Sequence, residues 1–295
     1  MTEAPRSVRS EATPPALATL LRCLDLETLD RDLFLGNPGE GEGRLFGGMV
    51  AAQSVVAAGR TVEPDRQLHS LHSYFLRPGR HGVPIRMVVD RIRNGRTFTT
   101  RRVRAHQAGE AIFSMSASFA RPEEGISHQD PMPEAPPPEG LPEWEEIRAR
   151  ILGAPRASGV DTSAVELRMI DAPPMAPGDK SPAYQRSWMR ARGALPEEPL
   201  VHTALLVFAT DRTLLTTAAR PHGLPWGQRM SASLDHSVWI HRPVRFDDWL
   251  LFVSDSPVAH AARGLIFGAL YYADGTRVAS VAQEGLIRVR RDPQP

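Results

Sequence analysis

The 295-residue sequence predicts an α+β fold made of two tandem halves, each a long buried helix followed by antiparallel strands. The first observation is an internal repeat, because HSLHSYFLRPG at His69–Gly79 resembles SLDHSVWIHRP at Ser233–Pro243. The second is a similar pair further along each half, RRVRAHQAGEAIFSMSASFA (Arg101–Ala120) and ARGLIFGALYYADGTRVASVAQEGL (Ala262–Leu286). Repeats at such long spacing indicate two related half-domains rather than a short-period solenoid.

The first half begins with an amphipathic pattern at Ala16–Leu29, which predicts a helix after Pro14-Pro15. A glycine-rich loop, NPGEGEGRLFGG, leads into Met49–Arg60, where small apolar residues nearly all round predict a helix buried against a sheet. Alternation of apolar residues and serines predicts a strand at Phe113–Phe119. The other predicted strands are His69–Phe75, Ile85–Arg93 and Phe98–His106, with Asn94-Gly95 as a hairpin turn.

The second half repeats this order after a proline-rich segment. Seven prolines between Arg121 and Pro142 indicate a linker, and a short helix is predicted at Trp144–Leu152. A long apolar helix is predicted at Pro199–Leu215. The predicted strands are Val165–Asp171, Tyr184–Arg192, Ala232–Ile240, Trp249–Ser256, Ala262–Tyr272 and Arg277–Arg288, with a turn at Asp274-Gly275. The expected domains are a disordered lead (1–14), an N-terminal half (15–121), a linker (122–160) and a C-terminal half (161–291).

Composition and charge narrow the possible functions. A hydrophobic fraction of 41% with a net charge of +1 is ordinary for a globular protein and favours neither a nucleic-acid partner nor a membrane surface. The single cysteine, Cys23, excludes an intramolecular disulfide and a multi-cysteine metal site, and its pattern favours a buried helix position. No apolar run is long enough to span a membrane, and the start lacks the apolar core of a signal peptide. We therefore expect a cytoplasmic protein.

Several motifs resemble those of the acyl-CoA thioesterase II family, whose fold is the double hotdog. The matching stretches are LFGGMVAAQ, HSLHSYFLRPG, NGRTFTTRRVRA, RPHG, LDHSVWIHRP and VASVAQEG, which cover most of residues 15–290 in the family's order. The resemblance implies an acyl-CoA thioesterase that releases free fatty acid and CoA. We expect neither a metal nor an organic cofactor. Because hotdog sheets commonly pair at their edges, we also expect a homodimer or a higher homo-oligomer.

The resemblance further implies that water attacks the thioester without a covalent intermediate, positioned by an Asp, a hydroxyl residue and a Gln. The Asp is Asp211, at the end of the motif Phe-Ala-Thr-Asp. The hydroxyl residue is Ser233, where the family usually has Thr, and the Gln is Gln283 in Gln-Glu-Gly. These catalytic candidates all belong to the C-terminal half.

The chemistry of these residue types fits such a reaction. Burial in an apolar helix raises the pKa of a carboxylate, which makes it a better general base near neutral pH. An amide and a hydroxyl can orient water or donate to a developing oxyanion. An alternative role for Asp211 is that of a capped or salt-bridged structural acid, for example one paired with Arg212, and Gln283 can equally be a buried amide bonded to backbone.

The internal repeat acts as a control on these three residues. When the repeated His-Ser pairs, His72 and His236, are aligned, His69 lies opposite Ser233. When the glycine turns are aligned, Ala117 lies opposite Gln283, and the long helix of the first half contains no acid. All three candidates therefore lack counterparts in the first half, which predicts one active site per chain.

Four further residues receive an interpretation. The repeated His72 and His236 are interpreted as scaffold residues that hold their strands by side-chain hydrogen bonds. Asp235 has Leu71 as its counterpart in the first half. It is a candidate to hold the catalytic residues in position without contacting the substrate. Met49 stands where relatives often have Gln, a difference that can alter substrate fit near the first long helix.

Other functions fit the sequence less well. The glycine-rich loop matches neither a Walker A loop nor a dinucleotide fingerprint, and a G-x-S-x-G elbow is missing. The histidines lack the carboxylate cluster or H-E-x-x-H pattern of a metal site. Two alternatives stay open: an acyl-CoA hydratase or dehydratase, whose Asp, Asn-Pro and His pattern is incomplete here, and an acyl-CoA-binding protein without efficient hydrolysis. The acyl length and the CoA contacts do not follow from the sequence.

Overall fold

A continuous antiparallel sheet of 13 strands connects both halves of the chain in the computed structural model, which describes residues 13–152 and 164–290. The predicted disordered lead lies outside the described residues up to residue 12, as do linker residues 153–160 and residue 291. None of the described helices is long and apolar enough to cross a membrane.

The first half contains two helices and six strands. These are α1 (Pro15–Leu24), β1 (Glu27–Asp30), β2 (Leu33–Gly36), α2 (Gly47–Gly59), β3 (Gln67–Phe75), β4 (Ile85–Asn94), β5 (Phe98–Gln107) and β6 (Glu110–Ala120). The predicted helix at Ala16–Leu29 is therefore too long. Its last residues form β1 instead, which turns at Arg31-Asp32 and pairs with β2. The apolar period continued past Leu24 because Leu26 is also buried, although in a different element.

The described part of the second half contains three helices and seven strands. These are α3 (Trp144–Leu152), β7 (Val165–Met169), β8 (Tyr184–Ala191), α4 (Pro199–Thr210), α5 (Leu214–Ala219), β9 (Arg229–Ser233), β10 (Asp235–Ile240), β11 (Leu250–His260), β12 (Arg263–Tyr272) and β13 (Arg277–Val289). Two predictions are wrong in detail. The helix predicted to reach Leu215 ends at Thr210, and the strand predicted at Ala232–Ile240 is broken at Leu234.

The sheet order is β1-β2-β4-β5-β6-β3-β10-β13-β12-β11-β8-β7, with β9 paired to β13. The two halves meet where β3 pairs with β10, in a register that places Leu71 opposite Val238. The long strand β13 pairs with β10 near Ala282 and with β9 from Gly285 onwards. The break at Leu234 thus lies opposite the segment of β13 that contains Gln283.

The two long helices α2 and α4 fill the space enclosed by the sheet, and nearly all their residues are buried. They run antiparallel in close contact. A Cβ on Gly48 would lie 2.6 Å from the carbonyl oxygen of Phe208, and one on Gly59 would lie 2.5 Å from Leu200 Cδ1. The predicted α+β double hotdog is confirmed, since each half wraps an antiparallel sheet around one long buried helix.

The proline-rich segment 121–142 forms no helix or strand and crosses the outer face of the second half. Trp188 Nε1 donates to the Pro136 carbonyl at 2.8 Å, and Arg186 donates to the Glu134 carbonyl at 2.8 Å. Met132 and Leu141 pack against the outer-face cluster of Trp188, Leu251 and Tyr271. These contacts hold the proline-rich segment against the second half.

Candidate active site

Asp211 terminates α4 and lies against the beginning of α2. The helix stops at Thr210, and Asp211 is the C-cap residue, buried at 7% exposure. Its carboxylate accepts a hydrogen bond from the backbone N–H of Gly48, in the first turn of α2. Because the N-terminus of a helix carries partial positive charge, it favours an anion at this position. The site is therefore built from both halves, although its side chains come from the second.

Two glycines make this close approach possible. A Cβ on Gly47 would lie 2.6 Å from a ring carbon of Phe75 and 3.0 Å from Asp211 Oδ2. Distances below 3.0 Å force some group to move, so a side chain at this position would displace the ring or the carboxylate. The Gly-Gly pair of the sequence is thus required by packing around the carboxylate, not by phosphate binding.

Ser233 and Gln283 converge on the same carboxylate oxygen. Ser233 Oγ donates to Asp211 Oδ1 at 2.7 Å, and Gln283 Nε2 donates to the same oxygen at 3.2 Å. Gln283 Nε2 also donates to Ser233 Oγ at 2.8 Å. The three residues predicted from the sequence therefore form one hydrogen-bonded cluster, brought together from the end of α4, the end of β9 and the middle of β13.

Burial controls the ionisation of this cluster. It raises the pKa of the Asp211 carboxyl to about 6, and hydrogen bonds from Ser233, Gln283 and the Gly48 N–H offset part of that rise. A group with a pKa near 6 is ionised at neutral pH and is a much stronger base than an exposed aspartate. The cluster can therefore accept a proton from a water molecule placed beside it.

Arg212 does not neutralise Asp211. Its guanidinium donates to the Val165 carbonyl at 3.2 Å and to Glu145 Oε1 at 2.7 Å. Arg212 is therefore not the partner of Asp211 that the structural alternative suggested. The two side chains point in different directions, since consecutive residues at a helix end do not share a face.

The chain is similar to acyl-CoA thioesterases along its length. The sequence profile described as "Acyl-CoA thioesterase" matches residues 163–286, and the profile "Acyl-CoA thioesterase N-terminal domain" matches residues 38–120. Acyl-coenzyme A thioesterase 8 of Mus musculus is 37% identical over 281 residues, which cover 90% of this chain and 88% of the relative. Acyl-CoA thioesterase 2 of Haemophilus influenzae is 34% identical, with 92% and 98% covered. The chain belongs to the acyl-CoA thioesterase family.

A solved structure supports the same family assignment. The crystal structure of the acyl-CoA thioesterase II TesB2 from Mycobacterium marinum superimposes with a TM-score of 0.77 at 41% sequence identity. The match covers 94% of this chain and 99% of that chain. The resemblance inferred from the motifs, and the enzyme class that it implied, are therefore confirmed.

Asp235 lies beside the cluster without joining it. Its Oδ1 accepts the backbone N–H of Glu284 at 2.6 Å. This bond replaces a strand-to-strand hydrogen bond at the break between β9 and β10, where the Leu234 N–H donates to the Glu284 carbonyl. Asp235 thus fixes the backbone of β13 next to Gln283, and its own carboxylate contacts none of the three candidates in the hydrogen bonds described.

The repeated histidines of the thioesterase occupy opposite faces of the sheet. His72 is exposed and shares a hydrogen bond of 3.1 Å with Ser237 Oγ. His236 is fully buried and faces the helices, and its neighbour across the strands is Ser73. The two histidines are therefore not structural counterparts, although their sequences align. Adjacent strand residues point to opposite faces, so an alignment that is shifted by one residue pairs an outward side chain with an inward one.

His236 makes side-chain hydrogen bonds, as its interpretation as a scaffold residue predicts, and one of them reaches a catalytic candidate. Its Nδ1 lies 2.6 Å from Gln283 Oε1, and its Nε2 lies 3.0 Å from Thr210 Oγ1. Burial lowers the pKa of the imidazole to about 4, and the bond with Gln283 opposes this only in part. His236 lies two residues after the break at Leu234, on the inward face of β10. The alternation of side chains along this strand could have indicated that it points toward the helices.

The opposite end of the helix pair has different side chains. There the C-cap of α2 is Arg60, where α4 has Asp211, and Leu200 of α4 packs against Gly59. The buried Arg101 fills the adjoining space and donates to Thr61 Oγ1 at 2.8 Å and to the Thr61 carbonyl at 3.0 Å. An arginine and a leucine thus lie at this end of the helix pair, where the candidate site has Asp211, Ser233 and Gln283.

Two other sequence features have structural roles. Cys23 is buried in α1, and burial raises the pKa of its thiol, so it is a packing residue. Met49 is fully buried in α2, immediately after the glycine pair. Within the described ranges, no group of three or more His, Cys, Asp or Glu residues is placed to hold a metal ion.

Proposed function

We propose that the enzyme hydrolyses acyl-CoA thioesters by direct attack of water, with Asp211 as general base. Family membership supports acyl-CoA as the substrate. The observation that carries the catalytic assignment is a buried carboxylate whose hydrogen-bond partners, Ser233, Gln283 and the Gly48 N–H, are all neutral. No cation reduces its basicity there, and burial increases it.

In this reaction one proton moves from water to Asp211 and then from Asp211 to the CoA thiolate. The water oxygen attacks the carbonyl carbon of the thioester while one water proton moves to the carboxylate. The protonated carboxyl then holds its hydrogen-bond donors less strongly, so the Ser233 hydroxyl and the Gln283 amide become available to the oxyanion. Collapse of the intermediate breaks the C–S bond, and the CoA thiolate takes the proton from Asp211. The products are a fatty acid and CoA, with no bond to the protein.

The first test measures release of free thiol from acyl-CoA substrates of several chain lengths. Asp211→Asn is expected to reduce kcat by about 10²–10⁴-fold, since a general base contributes a factor of this size. Ser233→Ala and Gln283→Ala are each expected to reduce it by about 100-fold. Ser233→Thr keeps the hydroxyl and should keep most of the activity.

Ser231→Ala is the matched control. Ser231 lies two residues before Ser233 on the same strand, and its buried Oγ has no hydrogen-bond partner among the described residues. Its removal should leave kcat within about threefold of wild type, because no bond of the described cluster is lost. Equal activity of the wild type and Asp211→Asn at every chain length would contradict the proposal.

Two further outcomes separate the alternatives. If the wild type binds acyl-CoA but releases no thiol, the chain is an acyl-CoA-binding protein without hydrolysis. Rapid mixing with excess enzyme tests the direct attack of water, which requires CoA and fatty acid to appear at the same rate. A burst of CoA ahead of the acid would demonstrate a covalent acyl-enzyme instead.

A further inference from the structure

We propose that His236 is a positioning residue whose neutral imidazole fixes the amide of Gln283, so that both amide hydrogens face Asp211 and Ser233. This inference rests on the catalytic role proposed above for those three residues. His236 itself reaches neither Asp211 nor Ser233 in the hydrogen bonds described; it acts through Gln283.

The hydrogen bonds define the state of the imidazole. Gln283 Nε2 donates to Asp211 Oδ1 and to Ser233 Oγ, so both its hydrogens are used. The remaining end, Gln283 Oε1, can only accept, and its partner at 2.6 Å is His236 Nδ1. Nδ1 must therefore carry the hydrogen.

Thr210 is compatible with the same tautomer on the other side of the ring. With Nδ1 protonated in a neutral imidazole, Nε2 has a free lone pair 3.0 Å from the Thr210 hydroxyl, whose one hydrogen is shared between this nitrogen and the Val207 carbonyl at 3.2 Å. The imidazole stays neutral at physiological pH because burial lowers its pKa to about 4. A neutral ring with one donor and one acceptor satisfies both neighbours.

The direction of the Gln283 amide matters for the reaction. A reversed amide would place its oxygen against Asp211 Oδ1 and Ser233 Oγ, remove two donors and bring two oxygen atoms together. The same reversal would point the NH₂ group at the Nδ1–H of His236, where donor would face donor. The imidazole therefore penalises the unproductive amide orientation, and a residue without a donor at Nδ1 cannot do so.

The contacts form a closed ring, which explains why these positions are linked. Thr210 and Asp211 are consecutive at the end of α4, and the path Thr210, His236, Gln283, Asp211 returns to its start. All four residues are buried. The helix end, β10 and β13 are thus held in one arrangement by polar contacts at the point where the carboxylate acts.

Two substitutions separate positioning from mere packing. His236→Asn places an amide nitrogen near the position of Nδ1 and keeps the donor to Gln283. His236→Gln places its polar atoms near Nε2, keeps a partner for Thr210 and loses the donor to Gln283. Both variants replace the ring by a neutral amide, so they are matched in charge and in loss of aromatic packing.

We expect kcat of His236→Asn to stay within about fivefold of wild type, whereas kcat of His236→Gln should fall about 100-fold. KM should change by less than about threefold in both variants. The acid limb of the kcat/KM profile should move up by about one pH unit in His236→Gln only, because Asp211 loses a donor to its ionised form. Thermal unfolding midpoints of the two variants should agree.

Each possible result decides the question. Equal kcat values for the two variants, or losses that follow the unfolding midpoints with no change in the pH profile, would overturn the inference. If both variants fail to fold, ¹⁵N-histidine NMR of the wild type decides, since a protonated Nε2 in place of Nδ1 would contradict it. Failure of the proposed function is distinguishable, because Asp211→Asn would then be as active as the wild type whatever the result at His236.

Discussion

Asp211→Asn should make the folded enzyme more stable at neutral pH while it removes activity. The carboxyl has an ordinary pKa of 3.8, and burial raises it to about 6 in the folded chain. A group with a raised carboxyl pKa binds its proton more tightly in the folded state than in the unfolded state. Its ionisation above pH 6 therefore costs folding free energy, and a neutral amide avoids this cost.

The magnitude follows from the size of the shift. One pKa unit corresponds to about 1.4 kcal/mol, so a rise from 3.8 to about 6 gives an upper value of about 3 kcal/mol. Asparagine offers one acceptor oxygen where the carboxylate offers two, so the bond from the Gly48 N–H is at risk. Its loss costs about 1 kcal/mol, which leaves an expected gain of about 1–2 kcal/mol at pH 7.5.

The pH dependence of that gain is the sharper measurement. The advantage of the variant should be complete above about pH 7, decrease as pH falls through the folded pKa near 6, and approach its minimum near pH 4, where the wild-type carboxyl is also protonated. Urea unfolding of both proteins at pH 4.5, 6 and 7.5 tests this. An advantage that is constant over this range, or that grows toward low pH, would refute the reasoning.

Two further predictions concern backbone geometry. Gly47→Ala should reduce kcat/KM at least about tenfold and destabilise by about 1–3 kcal/mol, because the new Cβ would meet Phe75 and crowd Asp211 Oδ2. Gly125→Ala is the control, because no atom lies within 4 Å of the added Cβ. If both variants had the same effect on activity and on urea unfolding, the prediction would be contradicted. At the β11–β12 turn, Ala261 and Ala262 have φ values of 48° and 59°, so replacing them by Asn-Gly should add about 1 kcal/mol in urea unfolding without changing kcat. Unchanged stability would count against it.

The sequence predicted the architecture well because period and repeat report burial directly. The two buried helices, most strands and the hairpin turns follow from apolar alternation and from Asn-Gly and Asp-Gly pairs. The misplaced boundaries share one cause. At Leu26 and beyond Asp211, apolar residues continue across a change of element, so periodicity alone cannot detect where the helix ends.

Part of the candidate site could be predicted from the family resemblance and not from periodicity. Asp211, Ser233 and Gln283 were identified through the family resemblance, and the structure brings them within hydrogen-bonding distance of each other. The inward direction of His236 could not be inferred from its repeat partner, since the halves differ by one residue in strand facing. The homo-oligomer, the cytoplasmic location and the domain boundaries stay predictions.

The asymmetry of the duplicated fold explains why one end of the helix pair is suited to chemistry. Both ends join the C-cap of one helix to the N-terminus of the other, and both have a glycine at the contact. At one end an aspartate accepts the backbone N–H of Gly48, and a serine and an amide complete its partners. At the other, Leu200 covers the glycine, and the guanidinium of Arg101 donates to the carbonyl of Thr61, just after the C-cap of α2. A carboxylate there would be neutralised by that guanidinium, which would lower its pKa and weaken it as a base. If Asp211 has the catalytic role proposed above, the charge placed at each helix end predicts one active site per chain, which the shared fold alone does not determine.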